Sequence, residues 1–182
     1  DILGLTAKLR GKAQMGLRFA SAGFRLVIPA TLSRRLLTGE ETIEGKDDLE
    51  VVQSPTQDSR ALIYDKGFPW GRHPLGYEIQ TALAAVAWLR AENLASSVTI
   101  AGYGEGGRAA LYAAALDDRI DHAFVSGAFS SRKKAWSEPI DRTLFGLLPE
   151  FGDAEVAALI TPRPLLVEHT EFPQATTSHR KI

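Results

Sequence analysis

The chain has 182 residues, 45% hydrophobic and 24% charged, the balance of a single soluble globular domain with a sizeable core. Lys plus Arg is 21 and Asp plus Glu is 22, a net charge of −1, which excludes a strongly basic nucleic-acid binder or a polybasic membrane binder as the default. With no cysteine, disulfides, thiolate metal sites and cysteine nucleophiles are excluded, and no apolar run approaches the ~20 residues of a membrane span.

The first residue is Asp1 rather than Met, so a processed product or a piece of a longer chain is expected. Lys12 to Ala22 places Ala13, Leu17 and Ala20 at helical spacing, and Gly23 is a plausible stop. Phe24 to Ile28 reads as a short strand ended by Pro29. Residues 31–59 form a long polar excursion, read as a surface loop that is either functional or partly mobile. Leu75 to Asn93 is the clearest helix, with Ile79, Leu83, Val86 and Arg90 on one stripe and Trp88 broadening it. Ser97 to Ala101 reads as a buried strand, Gly106 to Leu116 as an Ala-rich helix, and His122 to Gly127 as another strand. Trp136 to Leu148 is mixed helix and turn. Asp153 to Ile160 is a short helix, broken by Thr161 to Pro164, and Leu165 to Glu168 is the last strand. Strands alternate with helices and their apolar runs are continuous. The expected fold is therefore α/β: a mainly parallel sheet in a three-layer α/β/α arrangement with both faces covered.

The sharpest local signal is Gly102-Tyr103-Gly104-Glu105-Gly106-Gly107, between a strand and a helix. It fits three readings. In a G-x-S-x-G nucleophile elbow, Gly102 and Gly106 would be the flanking glycines and Gly104 would stand at the nucleophile position. Glu105 would then offer its backbone N–H to an oxyanion. In a G-x-G-x-x-G dinucleotide turn, Gly102, Gly104 and Gly107 would cradle a pyrophosphate. The next strand ends at Ser126-Gly127, before Ser130, Ser131, Arg132, Lys133 and Lys134, which would suit an NADP 2′-phosphate. In the third reading the glycines only permit a tight turn.

The run Gly102 to Tyr112, followed by Asp118 to Asp121 and Val125-Ser126-Gly127, resembles the elbow-to-next-strand segment of α/β-hydrolases, in the dienelactone hydrolase and acetylxylan esterase-like branch. Gly71 to Glu78 resembles the entry to the helix before the elbow strand, and Ile160 to Glu168 resembles that branch's P-R-P-L-L strand. The resemblance covers roughly residues 13–171. It implies an α/β-hydrolase-like domain, incomplete at both ends. The strand carrying an oxyanion donor would lie before Asp1, and the catalytic histidine beyond Ile182.

It also implies a nucleophile, acid, histidine order. Gly104 stands where the serine should be and has no side chain to attack a carbonyl. Glu171 is the acid candidate, in place of the branch's aspartate. His179 follows too soon after it for another helix and strand to intervene. Tyr103 and His169 are candidate ligand-binding residues, one beside the crest and one at a strand end. His73 shapes a helix entry, and no histidine pair has metal-ligand spacing. Trp70, Phe68, Trp136 and Phe145 are candidates for a pocket wall or for core packing. The expectation is a member of a carboxylic-ester hydrolase lineage whose serine-type catalysis is compromised. A ligand- or partner-binding relative without turnover is the alternative, and NADP binding a minor one. No cofactor or metal is called for. The expected partner is a small ester-like molecule, not a nucleic acid or a membrane.

Overall fold

The computed structural model describes residues 15–32, 36–37, 57–129, 132 and 135–168. The chain divides into two compact units, Asp1–Ala30 and Thr31–Ile182.

The first unit holds α1, Met15–Ser21. Its end is a Schellman motif: the Phe24 N–H donates to the Phe19 carbonyl (3.1 Å) and the Gly23 N–H to Ala20 (3.0 Å). The Phe19 and Phe24 rings meet edge-on at 5.9 Å, the apolar contact that accompanies this cap. The strand expected over Phe24–Ile28 does not form; these residues have no regular secondary structure. Phe24, Leu26, Val27 and Ile28 are all exposed. A strand exists only through its ladder, and no described segment pairs with this one.

The second unit opens with a short antiparallel ladder between β1, Leu36–Leu37, and β2, Gln57–Asp58. Most of the 31–59 excursion lies outside the described residues. It gives way at Ser59 to α2, Ser59–Gly67, which the sequence pattern did not reveal. The buried residues of α2 are Ser59, Arg60 and Tyr64, a set that reads as polar. A turn of 3-10 helix, Phe68–Trp70, leads to α3, Pro74–Ala91. His73 caps α3: the Leu75 N–H donates to its Nδ1 (3.1 Å), and Pro74 fills the first turn, where a missing N–H costs nothing. Trp88 is half-exposed and takes no part in the buried stripe of Leu75, Ile79 and Val86.

The parallel sheet has three strands in the order β3 (Thr99–Tyr103), β4 (His122–Ser126), β5 (Leu165–Glu168). Helix α4, Glu105–Leu116, joins β3 to β4, and α5, Asp153–Ala158, precedes β5. The helices and three of the four parallel strands expected from sequence are present. The register puts Ile100, Gly102, Ala123, Val125, Leu165 and Val167 on one face. That face meets α4, and with α3 and α5 it forms the core around Leu111, Ile120, Val125 and Ile160. The other face carries Thr99, Ala101, Tyr103, His122, Leu166 and Glu168, all exposed, with Phe124 half-buried and Ser126 buried on the central strand. Cover on both faces is thus not seen among the described residues. A continuous apolar run says that a strand could be buried on two sides; only neighbours decide whether it is.

Arg163, of the Pro-Arg-Pro turn, ties the end of α4 to the sheet. Its guanidinium donates to the carbonyls of Ala114, Asp117 and Ile120, each at 2.8 Å. A cation on these carbonyls answers both the orphan acceptors and the negative end of the helix dipole.

Candidate functional site

The turn from β3 into α4 is built by close backbone approach. An ideal Cβ on Gly102 would lie 2.0 Å from the Gly106 carbonyl oxygen, so only glycine lets β3 pass that close to the first turn of α4. Gly104 sits at the crest with φ 57° and ψ −122°, a backbone conformation that costs any L side chain. A Cβ there would meet nothing within 4 Å. The crest is pinned from both sides: the Gly104 N–H donates to the Ser126 carbonyl (2.8 Å), and the Arg108 N–H donates to the Gly104 carbonyl (3.1 Å).

Tyr103, just before the crest, is exposed on the open sheet face. Across the three strands its register partners are Ser126 and Glu168. The Ser126 hydroxyl is buried and donates to Glu168 Oε2 at 2.6 Å. It bridges two strands rather than presenting a free nucleophile. Glu105 opens α4, so its amide belongs to the first helical turn, whose N–H groups point away from the helix. Its carboxylate pairs with Arg142 and lies 3.9 Å from Arg60. Glu171 and His169 lie outside the described residues, as does His179.

Behind the crest, the structure assembles a buried ion cluster that the sequence did not announce. Arg60 of α2 donates through Nη1 to Glu78 Oε1 of α3 (2.5 Å) and through Nε to Asp141 Oδ2 (2.7 Å). All three are buried. Burial alone would lower the guanidinium's pKa; Asp141 and Glu78 outweigh it and raise it, so the cation persists. One signal existed. Glu78 falls three residues after Leu75 and one before Ile79, within the apolar stripe of α3, where a charge requires a partner.

His73 borders the same junction. Burial pushes its pKa below the ordinary 6.5, against the opposing pull of the Thr143 and Ile140 carbonyls and of Asp141. Among the described residues its buried Nε2 has no hydrogen-bond partner. The neutral imidazole, with Nδ1 as acceptor, is the form that caps α3.

The four aromatic pocket candidates are not core. Trp70, Trp136 and Phe145 are almost fully exposed and Phe68 half-exposed. Phe68 meets Tyr64 and, edge-on, Phe145 at 6.4 Å. For the dinucleotide reading, the Arg132 guanidinium is already engaged by Asp153 (2.9 Å) and Glu138 (3.1 Å). The described residues contain no group of three His, Asp or Glu able to hold a metal, and no helix long and apolar enough to cross a membrane.

Local geometry therefore carries the functional reading, because the chain matches no family model, no curated protein and no solved structure.

Proposed function

We propose that the chain is an α/β-hydrolase-like protein of a carboxylic-ester hydrolase lineage, in which the elbow persists but its nucleophile is gone. It binds an ester- or acyl-like small molecule at the crest and does not turn it over by a serine mechanism. One observation carries the reading: Gly104 holds φ 57° and ψ −122° at a strand-to-helix crest, with Gly102 packed against the Gly106 carbonyl. A nucleophile elbow holds its crest residue at such a positive φ between a strand and a helix, with small residues on either side, and this crest shares both features. The Glu105 carboxylate does not replace the lost group, because Arg142 holds it in an ion pair.

The test is Gly104→Ser. The new Cβ has open space, so the variant should fold, and its hydroxyl would stand beside the Glu105 amide at the α4 N-terminus. A crystal structure of the variant should keep the new serine at a positive φ, with its hydroxyl at the α4 N-terminus. A crest that relaxes to negative φ would overturn the elbow. Saturable hydrolysis of an acyl-ester panel by the parent chain would overturn the loss of turnover.

A further inference from the structure

The His73 imidazole stands where three elements meet. At the entry to α3 its Nδ1 accepts the Leu75 N–H at 3.1 Å. From α2 the Tyr64 ring meets it edge-on at 5.5 Å. From the 3-10 turn Ile140–Arg142 and the residue after it, the Ile140 and Thr143 carbonyls face it. The charged groups around it are held in place. Asp141 of the turn and Glu78 of α3 both accept from Arg60 of α2, and Arg142 of the turn pairs with Glu105, the first residue of α4. Asp141 draws a proton towards the ring and Arg60 opposes it.

Both ring nitrogens are committed to the neutral form. Nδ1 accepts from Leu75 only while it carries no proton, which puts the ring proton on Nε2. That buried Nε2 has no hydrogen-bond partner among the described residues. Protonation would turn Nδ1 into a donor facing the donor of Leu75. It would also set a cation at the N-terminus of a helix, the end that repels positive charge. Burial acts in the same direction and lowers the pKa of the ring. Asn, Asp, Ser and Thr cap helices without this liability; a histidine cap fails when it takes up a proton.

We propose that His73 is an acid-sensitive latch: its protonation takes the ring out of the cap and lets the turn Ile140–Arg142 open from the start of α3. Asp141 stays tied to Arg60, so the change is a local opening and not unfolding. Because the turn carries Arg142, the opening reaches the Arg142–Glu105 pair beside the crest. The latch does not rest on the hydrolase reading, since none of its groups comes from the crest itself.

Amide exchange of the whole chain, followed by NMR, tests it. The Leu75 amide donates to the ring, and the Arg142 and Thr143 amides donate to the Pro139 and Ile140 carbonyls within the turn, at 2.9 and 3.2 Å. The protection factors of all three, corrected for the intrinsic pH dependence of exchange, should fall about tenfold or more between about pH 7.5 and about pH 5. Those of Leu111 and Ala113 inside α4 should hold. His73→Asn keeps an acceptor at the cap and takes up no proton, so Arg142 and Thr143 should stay protected at both pH values. Loss at Leu75 alone would overturn the proposal and leave His73 a cap only. So would unchanged protection of the turn in the parent chain, or an equal loss in the variant, which would assign the opening to another group. The imidazole nitrogen shifts of the parent chain give a reading that needs no variant. The Nε2–H form should give way to the imidazolium in step with the loss at Arg142, and a mismatch of the two midpoints would overturn the latch.

Discussion

Gly102 and Gly104 are two residues apart, and their requirements differ in kind. Gly102 is fixed by space: its Cβ would enter the Gly106 carbonyl at 2.0 Å. Gly104 is fixed by dihedral angle alone, since its Cβ would meet nothing. Gly104→Ala should therefore cost about 1–2 kcal/mol, the strain of a left-handed residue. Gly102→Ala should cost about 3 kcal/mol or more, because backbone must move. Urea unfolding of both variants checks the order, and equal losses would contradict it. His73 sets a second residue-scale expectation. Its folded-state pKa lies below the unfolded 6.5, so the unfolded state takes up the proton more readily. The stability it contributes is complete above about pH 6.5 and declines as pH falls below that. His73→Asn keeps an acceptor at the cap and should flatten the profile below about pH 6.5. Asp117, held low by Arg119, and Asp121, held low by the Val98 N–H, give their own acid loss only below about pH 4. An unchanged slope in the variant would remove His73 from the account.

At the scale of elements, the Arg60 cluster fastens α2, α3 and the 3-10 turn Ile140–Arg142 to one another beside the first residue of α4. Such a cluster is weak as a net source of stability but severe when broken, because a lone buried carboxylate has no counter-charge. Arg60→Met should cost about 3–5 kcal/mol, and adding Glu78→Gln should restore part of it. A double-mutant cycle reads the coupling; additive losses would mean that the two side chains do not act as a pair. The sequence made most elements legible. α3, α4, β4, α5 and β5 lie within a residue or two of their expected bounds, because caps, helix breakers and apolar runs are local signals. Helix α2 was not legible, because its inner face is built from Ser59, Arg60 and Tyr64, whose burial depends on partners far along the chain. The strand expected at Phe24–Ile28 failed for the complementary reason. Its composition suited a strand, but a strand requires a neighbour.

Over the whole molecule, the sheet packs α4 against one face and leaves the exposed side chains of Tyr103, Leu166 and Glu168 on the other. Two leucines measure this asymmetry. Leu111 is fully buried and Leu166 is 62% exposed. Leu111→Ala should cost about 2–5 kcal/mol and Leu166→Ala no more than about 0.5 kcal/mol. A comparable loss at Leu166 in denaturant titrations would show that the second face is covered in solution.

The alternation of strands and helices, the glycine spacing at the crest and the lack of a nucleophile there can be read along the chain. Each of these is written in residues close together along the chain. Packing, by contrast, holds the crest at φ 57°, gives Glu105 to Arg142 and brings Arg60 to Glu78 and Asp141 out of water. Burial, pairing and strain are properties of neighbours in space, and residues 60, 105 and 142 become neighbours only when the helices pack.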